Sequence, residues 1–441
     1  MVFINGKKKI CILGLGYIGL PTAAMFATHG HKIVGVDINQ KIVDALNEGK
    51  ITIYEPYLDI LVHAAVTSGN LRGSTQPEEA DAFIISVPTP ITEEKAADMS
   101  YVEIAAESIV PYLRPGNLVI LESTSPPGTV KNLLVPILEK SGLKIGTELL
   151  VAHCPERVLP GKILIELVEN PRIIGGINQE SAEAVRDLYR TFVKGEIYLT
   201  DATTAEMCKL MENTYRDVNI ALANELALIC ENIGVSAWEV IKLANKHPRV
   251  NIHQPGPGVG GHCLAVDPWF IVEKVPDTAK LIKLSRIIND SMPMHVFERA
   301  KSILSAGPDT REPGTGEMAA HGSDGKKKVT ILGITYKANI DDTRESPIIK
   351  LIELFEEQTD YEISIYDPHI AEYRHLAKDI YSAAHGSSLL ILGVNHEAFS
   401  KVDFELLYKE MACPNILDTR NFWNGDMLSK LGFKYHLLGR G

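Results

Sequence analysis

The chain has 441 residues, of which 45% are apolar and 23% are charged, and its formal net charge at pH 7 is −12. This composition is typical of a globular protein, and the length predicts about three domains. The acidic balance disfavours non-specific binding to nucleic acid or to an anionic membrane. No segment of the sequence reaches the roughly 18–20 uninterrupted apolar residues of a membrane span.

Short apolar segments alternate with helical patterns over the first 200 residues. Six strands are predicted, at residues 10–13, 32–36, 82–87, 118–122, 149–152 and 172–175, with helices such as 21–29 and 40–47 between them. This alternation predicts a parallel sheet that is covered on both faces. The lysines at 7–9 and the apolar segment after them resemble a signal peptide, but glycines and a proline interrupt that segment, so we favour a first strand and its turn.

Helical patterns dominate from residue 201 to residue 305. Thr203 and Glu206 have the spacing of a capping box, which predicts a helix that continues to about Asn232. The helical pattern continues through 238–244, stops at the Gly/Pro-rich stretch 248–261 and resumes toward Leu304. A long helix between two α/β units often provides a surface for a second subunit, so we expect a homodimer.

Residues 306–328 are rich in Gly, Pro, Ser, Thr and charge, which is typical of a linker or a mobile loop. A second strand–helix series follows this segment, with strands predicted at 329–333, 363–366 and 389–392. The predicted domains are therefore 1–200, a helical region at 201–305, the linker, and a smaller α/β domain at 329–441.

A glycine motif lies where the first predicted strand meets the first predicted helix. In such a motif the first glycine permits a tight turn, the second lets the backbone approach a pyrophosphate, and the third allows close packing. Asp37 ends the second strand, where a carboxylate binds a ribose 2′-hydroxyl and repels the 2′-phosphate of NADP. NAD is therefore the predicted cofactor. The motif residues are Gly14, Leu15, Gly16, Tyr17, Ile18 and Gly19.

The corresponding turn of the C-terminal series contains one glycine, Gly333, so we expect that domain to bind a nucleotide of another kind. The predicted fold class is α/β, with two Rossmann-like domains bridged by a helical dimerisation region.

Six cysteines are far apart in the sequence and form no C-x-x-C pair. We therefore expect reduced thiols in a cytoplasmic enzyme rather than a disulfide framework or a metal site. Cys263 closes a loop with four glycines within six residues, which indicates close approach of the backbone to a ligand and makes this thiol a candidate nucleophile. The cysteines in apolar patterns are predicted to be small buried hydrophobes; they are Cys11, Cys208, Cys230 and Cys413.

A dinucleotide site and a nucleophilic cysteine together indicate a reaction class. An alcohol that loses a hydride becomes an aldehyde, a thiol adds to it, and loss of a second hydride leaves a thioester that water hydrolyses to an acid. This chemistry needs a cation for the developing oxyanion and a base for the water. Glu206, Lys209, Asn213 and Arg216 share one face of the predicted helix. For Glu206 and Arg216 we favour a solvated polar stripe over a catalytic role. For Lys209 and Asn213 the helical periodicity does not decide between the two.

Six segments, in order along essentially the whole chain, resemble the nucleotide-sugar 6-dehydrogenases, the family of UDP-glucose and UDP-N-acetylhexosamine dehydrogenases. The resemblance implies an NAD domain, a helical dimerisation region and a C-terminal UDP-sugar domain. The segments are GLGYIGLPTA (14–23), ESTSPPGT (122–129), CPERVLPG (154–161), AEMCKLMEN (205–213), GPGVGGHCLAVDPWF (256–270) and YKANIDDTRESP (336–347).

The resemblance also implies roles for individual residues. Cys263 corresponds to the nucleophile that forms the thioester, and Lys209 to the cation that stabilises the alkoxide and the oxyanion. Asn213 would help to hold that oxyanion or the catalytic water. Asp267 would assist the water or orient Lys209.

Hydrolysis and binding residues follow from the same resemblance. Thr124 and Glu156 correspond to residues that position the water and promote hydrolysis. The substrate contacts implied are Glu156, Arg157, Val158, Leu159, Lys209, Asn213, Arg216, Arg249, His262 and Lys337, with Arg249 reaching a substrate bound largely by the neighbouring subunit. The cofactor contacts implied are Gly14, Gly16, Tyr17, Ile18, Gly19, Asp37, Pro88, Thr89, Thr124 and Arg344.

The segments ERVLPG and GGHC depart from the UDP-glucose enzymes and resemble the N-acetylhexosamine branch. HPRVNI and CLAVDPWFI are most similar to the members that oxidise UDP-N-acetyl-D-mannosamine for surface polysaccharides. The resemblance implies a four-electron oxidation with two NAD. The alternatives are the same chemistry on UDP-N-acetylglucosamine or UDP-glucose, a two-electron hydroxyacid dehydrogenase, which would lack the cysteine loop, and a non-catalytic nucleotide-sugar sensor, which needs no nucleophile.

Overall fold

The computed structural model describes residues 6–306 and 326–441. The chain forms two compact units, one of Met1–Glu212 with Trp269–Thr278 and one of Asn213–Pro268 with Ala279–Gly441. The linker predicted for 306–328 lies outside the described residues except at its ends. Within the described ranges, no helix has the length and apolar character needed to cross a membrane.

The first unit contains an eight-stranded sheet in the order β3-β2-β1-β4-β5-β6-β7-β8. The six predicted strands are confirmed, and two further strands, β3 and β8, are short and partly polar and were not predicted. The sheet is not wholly parallel, because β6 and β7 pair in antiparallel fashion; an apolar pattern locates a strand but carries no information about its direction. The strands are β1 (Lys9–Leu13), β2 (Lys32–Val36), β3 (Leu71–Ser74), β4 (Ala82–Ile85), β5 (Asn117–Leu121), β6 (Leu149–His153), β7 (Arg172–Gly176) and β8 (Ile197–Asp201).

Both faces of this sheet are covered, as predicted. Successive residues of β1 point to opposite sides, so Ile10 and Ile12 pack in one apolar cluster while Cys11 and Leu13 pack in the other. A five-residue π-helical segment, Val130–Leu134, precedes α5. The helices of this unit are α1 (Gly19–Thr28), α2 (Gln40–Asn47), α3 (Leu58–Thr67), α4 (Ser100–Ile109), α5 (Val135–Leu138), α6 (Ile163–Glu169) and α7 (Gln179–Tyr189).

The predicted helical region contains α8 (Ala202–Ile233), α9 (Ala237–Ala244), α10 (Asp267–Lys274) and α11 (Lys280–Ser305). The capping box predicted at Thr203 is wrong. Asp201 caps α8 instead, since its carboxylate accepts the Thr204 N–H at 3.0 Å and the Thr204 hydroxyl. The Glu206 side chain is engaged elsewhere, as described below.

The second unit contains a five-stranded, fully parallel sheet in the order β10-β9-β11-β12-β13. Apolar residues again alternate between two clusters, because Leu389 and Ile391 of β11 lie in one and Leu390 and Leu392 in the other. The strands are β9 (Lys328–Leu332), β10 (Glu362–Tyr366), β11 (Leu389–Leu392), β12 (Asn415–Asp418) and β13 (Lys434–Leu437), and the helices are α12 (Pro347–Gln358), α13 (Ile380–Ala384), α14 (Phe404–Glu410) and α15 (Gly425–Lys430).

A buried ion pair joins α8 to α11 within the second unit. The guanidinium of Arg286 donates to Asp217 Oδ1 at 2.5 Å, and the Asn289 amide donates to the same oxygen at 2.8 Å. The side chains of Arg286 and Asp217 are 1% and 0% exposed, whereas Asp290, which also binds Arg286, is 42% exposed. Removing one member of a buried pair leaves the other charge uncompensated.

We expect Asp217→Ala to lower the free energy of unfolding by about 3–5 kcal/mol, because it removes the buried partner of Arg286 and leaves the buried guanidinium with only the half-exposed Asp290. Asp290→Ala serves as the matched control and should cost about 1 kcal/mol or less, since the Asp290 side chain is 42% exposed and Arg286 keeps its buried partner Asp217. Thermal unfolding followed by circular dichroism compares the two. Equal losses of stability in both variants would contradict this account.

Candidate active site

The turn after β1 has the geometry of a dinucleotide-binding turn. Gly14 has φ 92°, and a Cβ on it would lie 2.4 Å from the Ser86 carbonyl oxygen. A Cβ on Gly19 would lie 1.9 Å from the carbonyl oxygen of Gly14, whereas one on Gly16 would meet no atom within 4 Å. The packing therefore requires glycine at 14 and 19, and the backbone at 16 faces open space in which a pyrophosphate fits.

Asp37 fastens this turn to the end of β2. Its Oδ2 accepts the Leu15 N–H at 3.0 Å and its Oδ1 accepts the Asn39 N–H at 2.9 Å. Because each carboxylate oxygen has a second lone pair, the side chain can still accept ribose hydroxyls. The residues fit the adenosine half of NAD.

The sheet order reverses between β1 and β4, which is where open α/β sheets bind ligands beyond the carboxyl ends of their strands. Pro88 and Thr89 follow β4, and Thr124 follows the neighbouring strand β5. Ser123 joins the two segments, since its Oγ accepts the Val87 N–H at 2.9 Å and donates to the Val87 carbonyl at 2.8 Å. Tyr17 is partly exposed above the first turn.

The segment 154–161 after β6 is held along its whole length. Its Glu156 carboxylate accepts a hydrogen bond from the Arg172 guanidinium at 2.7 Å, and Arg157 forms an ion pair with Glu212. Glu166 accepts the Leu159 N–H at 2.7 Å. Val158 packs beside the main apolar cluster of the unit, and Leu159 is exposed.

Glu55, which was not predicted from the sequence, also holds this segment in place. Its buried carboxylate accepts the N–H groups of Gly161 at 2.7 Å and Ile163 at 2.8 Å. Glu55 is more than 100 residues earlier in the chain, between Tyr54 and Pro56. The sequence around it does not indicate that its side chain is buried.

The first turns of α8 are fastened to the segment that bears Thr124. The Glu206 carboxylate accepts the N–H groups of Gly128 at 2.5 Å and Val130 at 2.8 Å. It is fully buried, and burial raises its pKa to about 7 although the backbone donors oppose that rise. The solvated polar stripe predicted for Glu206 is therefore wrong, whereas Arg216 is exposed.

Lys209 lies one turn beyond Glu206 in α8. Its positive charge affects His153, the last residue of β6. Burial lowers the pKa of His153 to about 3, and the Lys209 charge contributes to that decrease. His153 is therefore a neutral imidazole. The Lys209 ammonium lies near the carboxyl end of β6, where the segment of Glu156 begins.

The second unit holds the cysteine loop. Cys263 is exposed, and its carbonyl oxygen accepts the Asp267 N–H at 2.8 Å in the turn that leads into α10. The buried Asp267 carboxylate accepts the Asn213 amide at 2.6 Å. Two of the predicted catalytic residues, Asn213 and Asp267, are therefore in direct contact, and Cys263 lies one backbone turn before Asp267.

The glycines of this loop lie against the segment 336–347. A Cβ on Gly260 would lie 2.3 Å from the Glu345 carbonyl oxygen, and one on Gly261 would lie 2.8 Å from the Tyr336 ring. The Gly261 N–H donates to the Arg344 carbonyl at 3.3 Å. Gly260 and Gly261 therefore allow the backbone beside the nucleophile candidate to pack closely.

The remaining predicted residues of this unit are at the surface, namely His262, Lys337, Arg344 and Arg249. Asp342, which the sequence analysis missed, receives the Arg344 guanidinium at 2.6 Å and 2.9 Å. Burial would raise the pKa of Asp342, but the hydrogen bonds from Arg344 and the charges of Arg344 and His262 together lower it.

The six cysteines, all within the described ranges, are free thiols. Cys11, Cys154 and Cys230 are buried, and burial raises the pKa of Cys11 and of Cys154 to about 12. Cys208 and Cys413 are only half-buried, so full burial was wrong for these two. Cys263 alone among the six is exposed. In the described parts of the chain, no group of three or more His, Cys, Asp or Glu could hold a metal ion.

Two doubly wound units, a dinucleotide turn and an exposed thiol beside an Asp–Asn pair define a nicotinamide-dependent dehydrogenase. Three family models match the chain: the UDP-glucose/GDP-mannose dehydrogenase NAD-binding domain over residues 8–193, the central domain over 203–291 and the UDP-binding domain over 330–425. The chain belongs to the UDP-glucose/GDP-mannose dehydrogenase family, and NAD is the cofactor of its first domain.

Individual relatives are similar over nearly the full length. The UDP-N-acetyl-D-mannosamine dehydrogenase of Methanococcus maripaludis is 48% identical over 98% of this chain and 97% of its own. The NDP-N-acetyl-D-galactosaminuronic acid dehydrogenase of Ralstonia nicotianae is 45% identical over 96% of this chain and 98% of its own. The structure of UDP-N-acetyl-mannosamine dehydrogenase from Staphylococcus aureus superposes with a TM-score of 0.86 at 47% identity, covering 98% and 99% of the two chains.

We expect wild-type protein to bind NAD at least tenfold more tightly than NADP, because the Asp37 carboxylate repels the 2′-phosphate. Asp37→Asn should reduce that ratio by about tenfold, which corresponds to about 1.4 kcal/mol. Asp44→Asn, an exposed carboxylate on α2, is the control and should leave the ratio unchanged. Isothermal titration with each cofactor gives both dissociation constants, and equal affinities in the wild type would contradict the role of Asp37.

Proposed function

We propose that this protein oxidises UDP-N-acetyl-D-mannosamine at C6 to UDP-N-acetyl-D-mannosaminuronate, with two NAD, through a thioester on Cys263. The observation that carries the proposal is the exposed Cys263 thiol one turn from the bonded pair of Asn213 and Asp267. Support for the sugar comes from the names of the relatives in Methanococcus and Staphylococcus.

The overall reaction balances as one primary alcohol, two NAD⁺ and one water giving one carboxylate, two NADH and three protons. NAD supplies the two hydride acceptors. Cys263 adds through its sulfur to the C6 aldehyde, and its proton goes to the aldehyde oxygen. The thiohemiacetal is thereby fixed to the protein while it awaits the second oxidation.

Lys209 places a positive charge on the oxygen at C6, where negative charge develops in each oxidation and during hydrolysis. Asn213 donates a hydrogen bond to the same oxygen or to water. Asp267 holds the Asn213 amide at 2.6 Å and so fixes its direction. With its second oxygen it accepts a proton from Lys209 or from water.

Hydrolysis releases the product. The water oxygen bonds to C6, the C–S bond breaks with its electron pair on sulfur, one proton returns to the Cys263 sulfur, and the acid releases another. Thr124 and Glu156 position that water, since both follow strands at the same edge of the sheet. Glu156 keeps a free lone pair on each oxygen for this purpose.

Substrate and cofactor binding follow the family domains. The sugar contacts the loop of Arg157, Val158 and Leu159, and the UDP group lies at the C-terminal domain with Lys337. His262, Arg216 and Arg249 are further substrate contacts, and Arg344 contacts the cofactor together with Tyr17, Ile18, Pro88 and Thr89. The proposed domains are 1–200 for NAD, 201–305 for dimerisation and 329–441 for UDP-sugar. The free thiols suit a reducing cytoplasm.

We expect a panel of UDP-sugars to give two NADH per molecule of UDP-N-acetyl-D-mannosamine, with kcat/KM at least tenfold above that for UDP-N-acetylglucosamine, UDP-N-acetylgalactosamine or UDP-glucose. Absorbance at 340 nm counts the NADH. The similarity to the Ralstonia enzyme makes the galacto sugar the second candidate, and a higher kcat/KM for it would replace the proposed substrate. One NADH per sugar would rule out the four-electron reaction.

Cys263→Ala is the matched variant for that experiment, because it removes the sulfur from an exposed position without disturbing the core. It should form no acid while NAD affinity stays within about twofold of the wild type. Cys208→Ala, a half-buried cysteine of α8, is the control and should retain activity.

We also propose that the protein is a homodimer formed through α8. Tyr215, Leu222, Ile229 and Ile233 are exposed at a spacing of seven or four residues, so they form one apolar stripe. On a monomer this stripe would leave four large apolar side chains in water, and a two-fold partner with the same stripe covers it.

Leu222→Glu should convert the dimer to a monomer, because it places a charge on each side of the two-fold contact. Ile104→Glu on α4 is the control: Ile104 is 62% exposed against 51% for Leu222, and the change should leave the dimer intact. Light scattering after size exclusion measures the mass. A monomeric wild type, or a dimeric Leu222→Glu, would refute this interface.

A further inference from the structure

Five buried side chains form a polar cluster in the first unit, behind the segment that carries Glu156. They are Glu122, Cys154, Glu156, Arg172 and Tyr189. Arg172 lies at the centre: its guanidinium donates to Glu156 Oε2 at 2.7 Å, lies 3.6 Å from the Cys154 sulfur and stands 4.5 Å above the Tyr189 ring. One cation therefore contacts most of the cluster.

Glu122 is the second carboxyl group near Arg172. Its Oε1 lies 3.9 Å from the guanidinium and accepts the Tyr189 hydroxyl at 2.7 Å. Burial, followed by the negative charge of Glu156, raises the pKa of Glu122 to about 7 against the opposing charge of Arg172. Near neutral pH this carboxyl group is therefore only partly ionised, and Glu156, at 2.7 Å, is the closer partner of the Arg172 guanidinium.

The Arg172 cation is permanent. Burial alone would lower its pKa, but the neighbouring negative charges, with Glu156 foremost, raise the pKa above its ordinary value. The second oxygen of Glu156 accepts the Arg157 N–H at 2.8 Å. Glu156 is thereby fixed through both oxygens, one to the buried cation and one to the backbone of the loop proposed to contact the sugar.

We propose that Arg172 is a positioning residue for thioester hydrolysis, which holds the Glu156 carboxylate in place for the attacking water. The inference rests on the proposed function of Glu156. The planar fork of arginine contacts Glu156, Cys154 and the Tyr189 ring at once, which the single ammonium of lysine cannot reproduce.

Arg172→Lys keeps the buried positive charge but loses that fork. The two oxidations do not use Glu156, so we expect a rapid burst of two NADH per active site, followed by a steady-state kcat reduced at least tenfold with KM within about threefold. The intact mass of the quenched protein should rise by the acyl group on Cys263. Arg190→Lys, an exposed arginine at the end of α7, is the control and should show neither effect.

If Arg172 had a purely structural role, Arg172→Lys would lower the NADH burst and the steady-state kcat together, and no acyl group would accumulate on Cys263. That result would overturn the inference. Melting temperature and NAD affinity report whether Arg172→Lys is folded. If it is not, Tyr189→Leu removes the aromatic ring that lies 4.5 Å from the Arg172 guanidinium and so holds Arg172 less firmly. We then expect the same burst of two NADH per active site with a smaller reduction of the steady-state kcat, and an unchanged steady-state kcat would equally overturn the inference. Failure of wild-type protein to yield two NADH would instead reject the proposed function.

Discussion

Carboxylates that each accept two backbone N–H groups fix the loops around the candidate site. Glu206 holds Gly128 and Val130, and Glu55 holds Gly161 and Ile163. An unsatisfied buried donor costs about 1–3 kcal/mol, so each carboxylate stabilises its loop by accepting two backbone N–H groups. The loops of Thr124 and Arg157 therefore depend on acids that are distant in sequence.

A carboxylate that accepts two backbone N–H groups is also found at the first turn of each unit. Gly14 and Gly333 both donate to the end of the neighbouring strand, at 2.8 Å and 2.9 Å. Asp367 accepts the N–H groups of Ile334 and His369, as Asp37 accepts those of Leu15 and Asn39. Asp367, however, is fully buried and its carboxylate lies 3.1 Å from the His396 ring nitrogen, so its oxygens are not accessible to the hydroxyls of a ribose. This difference supports binding of a different nucleotide by the second unit.

Sequence patterns predicted the strands, the long helix and the dinucleotide turn because each has a local signature of period or glycine spacing. The direction of β7 has no such signature, and neither does the burial of Glu206. An acid three residues after a threonine satisfies a capping pattern equally well whether its carboxylate bonds to its own helix or to a loop nearly 80 residues away. Glu55, Asp342 and Arg172 were missed for the same reason, since their partners are set by the fold.

Cys154 and Cys263, which lie in two of the six segments that resemble the family, differ in exposure, and exposure affects how easily a thiol ionises. Cys154 lies 3.6 Å from a guanidinium, which by itself favours a thiolate. Burial outweighs that charge, and Glu122 and Glu156 offset it further, so the pKa of Cys154 rises to about 12 and the thiol stays neutral. Cys263 is exposed in a loop whose glycines let the backbone pack closely. The cation beside Cys154 therefore does not activate that sulfur, and its short hydrogen bond is to the Glu156 carboxylate.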